Sequence, residues 1–154
     1  MVKKLFVLVV AVLIMAGYGV AGDQDKGTAE EANALVKKAV AYMKEVGKEK
    51  AIAEFNNPKG KFIEKDLYVW ATGMDGTNLS HPFTPALIGK NMMELKDADG
   101  KMFVKERIEI AKAKGSGTIE YRWTNPQSKK VEKKEAFFEV VPGMDLIINC
   151  GYYK

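Results

Sequence analysis

The chain has 154 residues, 47% of them hydrophobic and 29% charged, the balance of a globular protein and not of a disordered one. That length suits one domain and supports an ordinary core without disulfide staples. Cys150 is the only cysteine, so no internal disulfide can form. It reads as a small buried hydrophobe in the last strand, the alternative being an intermolecular or reactive thiol.

Lys3 and Lys4 precede an apolar run over residues 5–16, and the small residues Gly19, Val20 and Ala21 follow. This is the three-part pattern of a secretory signal peptide. Residues 1–21 are therefore expected to be removed, leaving 22–154 as one soluble domain in the periplasm or the medium. The run is shorter than the roughly 20 residues of a membrane span; retention as an N-terminal anchor is the alternative. Loss of Lys3 and Lys4 lowers the formal net charge of +4 by two. The charge balance then gives no reason to expect nucleic-acid binding.

Residues 22–27 are polar and read as loose. Thr28 and Glu31 form a capping box, in which the Thr28 side chain accepts from the third amide and Glu31 reaches back. Leu35, Ala39, Tyr42, Met43 and Val46 then recur at helical spacing as one apolar stripe, with Lys37, Lys38, Lys44 and Glu45 outside it. Gly47 ends that helix. Residues 48–55 predict a shorter one with Ala51, Ile52 and Phe55 on one face, stopped by Asn56-Asn57-Pro58.

Residues 62–72 read as the first strand, with Tyr68 and Trp70 on one face and Leu67, Val69 and Ala71 on the other. Asp75-Gly76 signals a tight turn, so 77–81 should return as a short second strand carrying His81 within reach of Trp70. Residues 82–101 are broken by Pro82, Pro85, Gly89 and Gly100, yet carry Phe83, Leu87, Ile88, Met92, Met93 and Leu95. A loop so apolar should lie over a sheet face. Its Asp97 to Gly100 stretch lacks the acidic spacing and the later glutamate of an EF-hand calcium loop, and reads as a turn.

A second amphipathic helix is expected over 101–114, with Val104, Ile108 and Ala111 as its stripe, ended by Gly115. From 115 to 126 the pattern alternates. Ile119, Tyr121 and Trp123 share one face of a strand and Thr118, Glu120 and Arg122 the other. This strand is taken as central to the sheet. A hairpin turn at 127–130 leads to a strand over 131–141. After Pro142-Gly143 the last strand, 144–153, is apolar on both faces, as a covered central strand would be. No βαβ alternation occurs, so the class is α+β with a mainly antiparallel sheet, one face of it covered by the long helix.

Haem-attachment, metal-cluster, nucleophile-elbow and phosphate-loop patterns are all missing, so no cofactor and no metal is expected. One histidine, His81, could pair with a carboxylate as acid and base. Nothing else points to catalysis, and the chain reads as a non-enzyme. The Tyr68/Trp70 and Tyr121/Trp123 pairs are either plain core or the wall of a pocket, since each ring offers an apolar body and a polar tip. His81 likewise reads as a ligand contact or as a hydrogen-bonded residue fixing the loop before Pro82. Lys129, Lys130 and Lys133 read as a solvated hairpin, while Lys134 lies deeper in its strand.

Several short motifs stand in a particular order and spacing. They are Asp66-Leu-Tyr-Val-Trp70, Asp75-Gly76, His81-Pro82, Leu87-Ile-Gly89-Lys90-Asn91, Asp99-Gly100-Lys101, Gly115-Ser-Gly117, Tyr121-Arg-Trp123, Pro126, Lys134 and Gly151-Tyr152. Together, over about 28–153, they make the chain similar to the single Cache domains of bacterial sensors. The resemblance implies a PAS-like fold: a long N-terminal helix packed on a five-stranded antiparallel sheet, with a small-ligand pocket on the other face. It also implies extracytoplasmic sensing of a small organic acid or similar metabolite.

Carried over position by position, the implied pocket wall is Tyr68, Trp70, His81, Tyr121, Trp123 and Lys134. Lys134 or His81 would meet a carboxylate and the rings would enclose its carbon chain. Arg122 faces away from Tyr121 and Trp123. Arg107 could reach the rim from its helix, but the sequence does not fix the helix register closely enough to include it. The implied role is signal transduction through a membrane receptor partner. The alternatives are a protein-interaction module of the envelope with a vestigial pocket, and a small envelope enzyme using His81.

Overall fold

A computed structural model describes residues 26–154, so the expected signal peptide over 1–21 lies outside the described residues. The first element begins where the capping box puts it. Thr28 Oγ1 accepts from the Glu31 amide at 3.2 Å, and the Glu31 carboxylate accepts from the Thr28 amide at 2.9 Å. Helix α1, Ala29–Val46, buries Ala32, Leu35, Val36, Ala39, Val40 and Met43 along one stripe. Gly47, at φ 87°, breaks the helix, and α2, Lys48–Phe55, follows at once with Ala51 and Phe55 buried.

Five antiparallel strands form one sheet: β1 (Ile63–Glu64), β2 (Leu67–Gly73), β3 (Ser116–Thr124), β4 (Val131–Val140) and β5 (Leu146–Tyr153). Their spatial order is β1-β2-β5-β4-β3. Alternation sends each strand's side chains to two separate cores. Leu67, Val69, Ala71, Ile148 and Cys150 pack against α1 and α2. Tyr68, Trp70, Ile119, Tyr121, Phe138 and Ile147 pack on the opposite side against helix α3, Phe103–Lys114. The apolar loop before α3 lies over that second face, with a 3₁₀ turn at Pro85–Leu87.

Three expectations need correction. The strand read over 62–72 is split: Lys65 takes φ 58°, and the chain doubles back so that Ile63 pairs with Tyr68 and Glu64 with Leu67. The return strand expected over 77–81 is reduced to isolated bridges, Thr72 with Asn78 and Thr77 with Asn91. There the Ser80 hydroxyl accepts from the Ala71 amide at 2.8 Å, a side chain standing in for a ladder partner. The strand expected at the centre of the sheet, now β3, is an edge, and the central place belongs to β5. The exposed backbone of β3 is met by the turn after Asp97: Asp97 Oδ2 accepts from the Arg122 amide at 2.9 Å, and Lys101 Nζ donates to the Glu120 carbonyl at 2.8 Å. An edge strand covered in this way is a poor template for pairing with another chain.

Gly151 lies between β4 and β2 on the second face, where a side chain would be crowded. A Cβ there would stand 2.6 Å from Lys134 Cε, 2.9 Å from the Glu135 carbonyl oxygen and 3.1 Å from Ala136 Cα. Two of those atoms are backbone and cannot step aside. Gly151→Ala should therefore destabilise the fold by about 1–3 kcal/mol, the usual range for overpacking. Urea denaturation of parent and variant measures it; equal midpoints would mean that β4 and β5 separate freely at this point.

Candidate functional site

Alternation along β2 and β3 puts Tyr68, Trp70, Thr72, Tyr121 and Trp123 on the face that α3 and the loop cover. They enclose a cavity of about 30 Å3. Of the six residues expected at a pocket, five line it: Tyr68, Trp70, His81, Tyr121 and Trp123. Their rings form a continuous set. His81 stands 5.1 Å from Tyr68, 6.3 Å from Trp70 and 6.2 Å from Trp123, while Tyr121 stacks on Phe103 at 4.2 Å.

The sixth, Lys134, is fully buried but is not a lining residue. Pairing across β4 and β5 sets it opposite Tyr153, and its stem passes over Gly151. Nζ ends 3.8 Å from the centre of the Tyr68 ring and 4.7 Å from that of Trp70, two rings that also line the cavity. Its hydrogen-bond partner is the Tyr153 hydroxyl, at 3.3 Å. Among the described residues no carboxylate forms an ion pair with it. Burial pulls its pKa down to about 7; the Arg107 guanidinium adds to that, and Cys150 and Asp66 oppose it.

His81 is held as a neutral ring. Nδ1 accepts from the Thr84 amide at 3.0 Å, which leaves the ring proton on Nε2, and its own amide donates to Asn56 Oδ1 at 2.9 Å. Burial, with a smaller contribution from Lys134, pushes its pKa down to about 3.

Sequence reasoning left out the residue that now dominates the site. Arg107 is 2% exposed and lines the cavity. Its guanidinium lies 5.6 Å from the centre of the Trp70 ring, and Nη2 donates to Thr72 Oγ1 at 3.4 Å. Among the described residues Nε and Nη1 have no hydrogen-bond partner, nor has Asn78 Nδ2, another donor on the cavity wall. Desolvation lowers the Arg107 pKa, with Tyr121 opposing it. The signal was present in the periodicity: Arg107 falls between Val104, Ile108 and Ala111, so a charge sits on the buried stripe of α3. Asn78 follows the Asp75-Gly76 turn and carries no comparable mark. Arg122 does face away, donating from Nε to Asp99 Oδ2 at 2.9 Å.

The site thus has a polar end and an aromatic end. Along β2, Thr72 neighbours Arg107, Trp70 lies in the middle, and Tyr68 meets His81 at the far end. Leu87, Met92, Phe103 and Val104 supply apolar wall between them. Buried donors without acceptors in an otherwise apolar chamber suit a small anion with a short hydrocarbon part.

A long helix behind a five-stranded antiparallel sheet, with a chamber on the opposite face, is the frame of PAS-like sensor domains. The chain belongs to the Single Cache domain 2 family, whose model matches residues 8–154. It is 32% identical over 89 residues to the sensor histidine kinase MctS of Rhizobium johnstonii, a match covering 58% of this chain and 19% of the kinase. The chain thus spans about a fifth of that curated relative. Among solved structures it is similar to a methyl-accepting chemotaxis protein of Vibrio parahaemolyticus, at 25% identity and a TM-score of 0.69, over 80% of this chain and 86% of that one. A Cache chemosensory domain described for its carboxylic acid recognition shares the fold, at 23% identity and a TM-score of 0.64, over 80% and 86% of the two chains. The chain is thus a Cache domain, homologous to sensor domains found in chemotaxis receptors and histidine kinases.

Lys134 generates a pH dependence of stability. Its folded pKa near 7 lies below the ordinary 10.5, so between those values the unfolded chain holds a proton that the folded chain lacks. Stability rises with pH across that window, and below it the fold must carry a buried charge. Lys134→Met keeps most of the stem and should melt higher than the parent by several degrees at about pH 6, with the difference shrinking toward about pH 10. Melting curves of both proteins over that range check it; a gap that does not change with pH would mean that the ammonium is solvated.

Proposed function

We propose that the domain binds a small monocarboxylate and reports its presence to a signalling partner. The observation that carries this reading is the pair of unpartnered Arg107 donors, Nε and Nη1, buried at the wall of an otherwise apolar cavity. A guanidinium is the side chain best shaped to grip a carboxylate, and in a water-poor chamber such a bond is strong. Asn78 Nδ2 is placed to share the anion. Tyr68, Trp70, His81, Tyr121 and Trp123 would surround the tail, and Lys134, held against the Tyr68 and Trp70 rings, would add positive potential when protonated.

The size of the ligand follows from the space. A water needs roughly 10–15 Å3 of cavity, and the chamber offers about 30 Å3. That accommodates a carboxylate and one or two carbons. A second carboxylate would face the neutral His81 and aromatic rings, which supports one acid group and not two. The Cache chemosensory domain described for carboxylic acid recognition supports the same class.

Catalysis by His81 is disfavoured, because its pKa near 3 and its engaged Nδ1 leave it a poor base. We propose no enzymatic activity and no cofactor. A thermal-shift screen of small organic acids, followed by calorimetric titration, tests the main reading. A ligand at 100 times its dissociation constant adds about 2.7 kcal/mol, which raises the melting temperature several degrees. Arg107→Met should weaken binding roughly 10- to 150-fold, the equivalent of about 1.5–3 kcal/mol for hydrogen bonds to a charged group. No shift across the panel would favour the interaction module with a vestigial pocket.

We further propose that residues 1–21 are a signal peptide cleaved after Ala21, so that residues 22–154 act in the periplasm or the medium through a membrane receptor partner. The Lys3-Lys4 start, the short apolar run and the small residues before Gly22 support this. The family match begins at residue 8, inside that run. The intact mass of the exported protein should correspond to a chain starting at Gly22; a membrane-bound product that keeps residues 1–21 would make the segment an anchor.

A further inference from the structure

Next to the inner cavity lies a second chamber of about 340 Å3, bounded on its solvent side by exposed Phe83, Thr124 and Lys129. The two chambers have Tyr68, His81, Leu87 and Trp123 in common. A thin set of side chains, three of them ring-bearing, therefore stands between a small inner space and a larger outer one. Its members are not held alike. His81 is fixed by the Asn56 side chain and the Thr84 amide, and Tyr68 by Tyr153 and by the Lys134 ammonium on its face. Trp123 is only half-buried. Its aromatic neighbours are His81 at 6.2 Å, Phe103 at 5.8 Å and Tyr121 at 6.2 Å, and among the described residues it makes no side-chain hydrogen bond.

The partition crosses the line that a bound acid would follow. With the carboxylate at Arg107, beside Thr72, the tail runs past Trp70 toward Tyr68 and His81. The Trp70 ring lies 5.6 Å from the Arg107 guanidinium and 6.3 Å from the His81 ring, so a tail of several methylenes is needed to reach the partition. Beyond it is the outer chamber.

We propose that Trp123, standing beside His81 in the wall that also includes Tyr68 and Leu87, determines the length of acid that the site accepts, and that without it the two chambers join into one site for longer, apolar-tailed monocarboxylates. This rests on the carboxylate reading above. Each methylene that reaches the outer chamber should then tighten binding by up to about fourfold.

Two experiments test it, one with ligand and one without. Calorimetric titration of parent, Trp123→Ala and Leu87→Ala with straight-chain acids from acetate to octanoate gives affinity against length. The parent should bind the shortest acids best, and both variants should shift the optimum to longer ones, by tenfold or more for the longest. The same optimum in all three proteins would overturn the proposal. The second experiment uses the fact that the chain has only two tryptophans, so Trp70 is the sole tryptophan of any Trp123 variant and can be excited selectively over the tyrosines. Trp123→Phe keeps a ring in the partition and Trp123→Ala removes it. Acrylamide should quench Trp70 several-fold more effectively in the alanine variant; equal quenching, with both variants folded by circular dichroism, would show that Trp123 closes nothing. If no acid binds the parent but the quenching differs as expected, the partition stands and the carboxylate reading falls.

Discussion

The non-local pairing of β2 with β5 is the contact on which the site depends. It joins Val69 to Cys150, Trp70 to Asn149 and Thr72 to Ile147, residues some eighty positions apart. Through it, the hairpin succession β3-β4-β5 acquires the strand that carries Tyr68, Trp70 and Thr72. It also fixes parity on both faces at once: a slip of one residue would send Trp70 toward α1 and Val69 toward the cavity. Asn149 reinforces the register by donating from Nδ2 to the Trp70 carbonyl at 3.1 Å. The helix-side core and the cavity-side core are thus two consequences of one pairing.

On the cavity side of this sheet Lys134 of β4 and Arg107 of α3 come together, and among the described residues neither has a carboxylate within ion-pair distance. Arg107 retains donors without acceptors, and Lys134 is left with a tyrosine hydroxyl and three aromatic faces. Aromatic faces attract ammonium groups, but they do not replace the hydration lost on burial. The folded protein bears this electrostatic cost, which an incoming anion would offset. The arrangement is the opposite of a structural ion pair, in which the charges satisfy each other and leave nothing for a ligand. The surface pairs are of that ordinary kind: Lys154 meets both Glu120 and Glu135, and Lys65 meets Glu31.

Sequence pattern carried far where the governing physics is local. The capping box at Thr28, the break at Gly47 and the end of α3 at Gly115 all depend on a few neighbouring residues, and all are found where the pattern puts them. Strand alternation correctly grouped Tyr68 with Trp70, and Tyr121 with Trp123. It failed where tertiary context overrides propensity: Lys65 adopts a left-handed conformation that its residue type does not announce, and Ser80 breaks the strand expected over 77–81 by bonding its hydroxyl to Ala71.

The sequence by itself determined the kinds of element, their polarity and the residues that share a face, because 3.6- and 2-residue periodicities are written in the chain. It could not determine strand order. The alternating segment over 115–126 looks like a sheet centre, but hydrogen bonds between strands distant in sequence make it an edge. Nor could it say whether a buried charge is satisfied. Lys134 was visible as a lysine deep in a strand, but only the packed structure turned its ammonium onto the Tyr68 and Trp70 rings and left the cavity to Arg107. Which cation meets the open space depends on how α3 docks across the sheet, a matter of ångströms between elements that no periodicity within either one encodes.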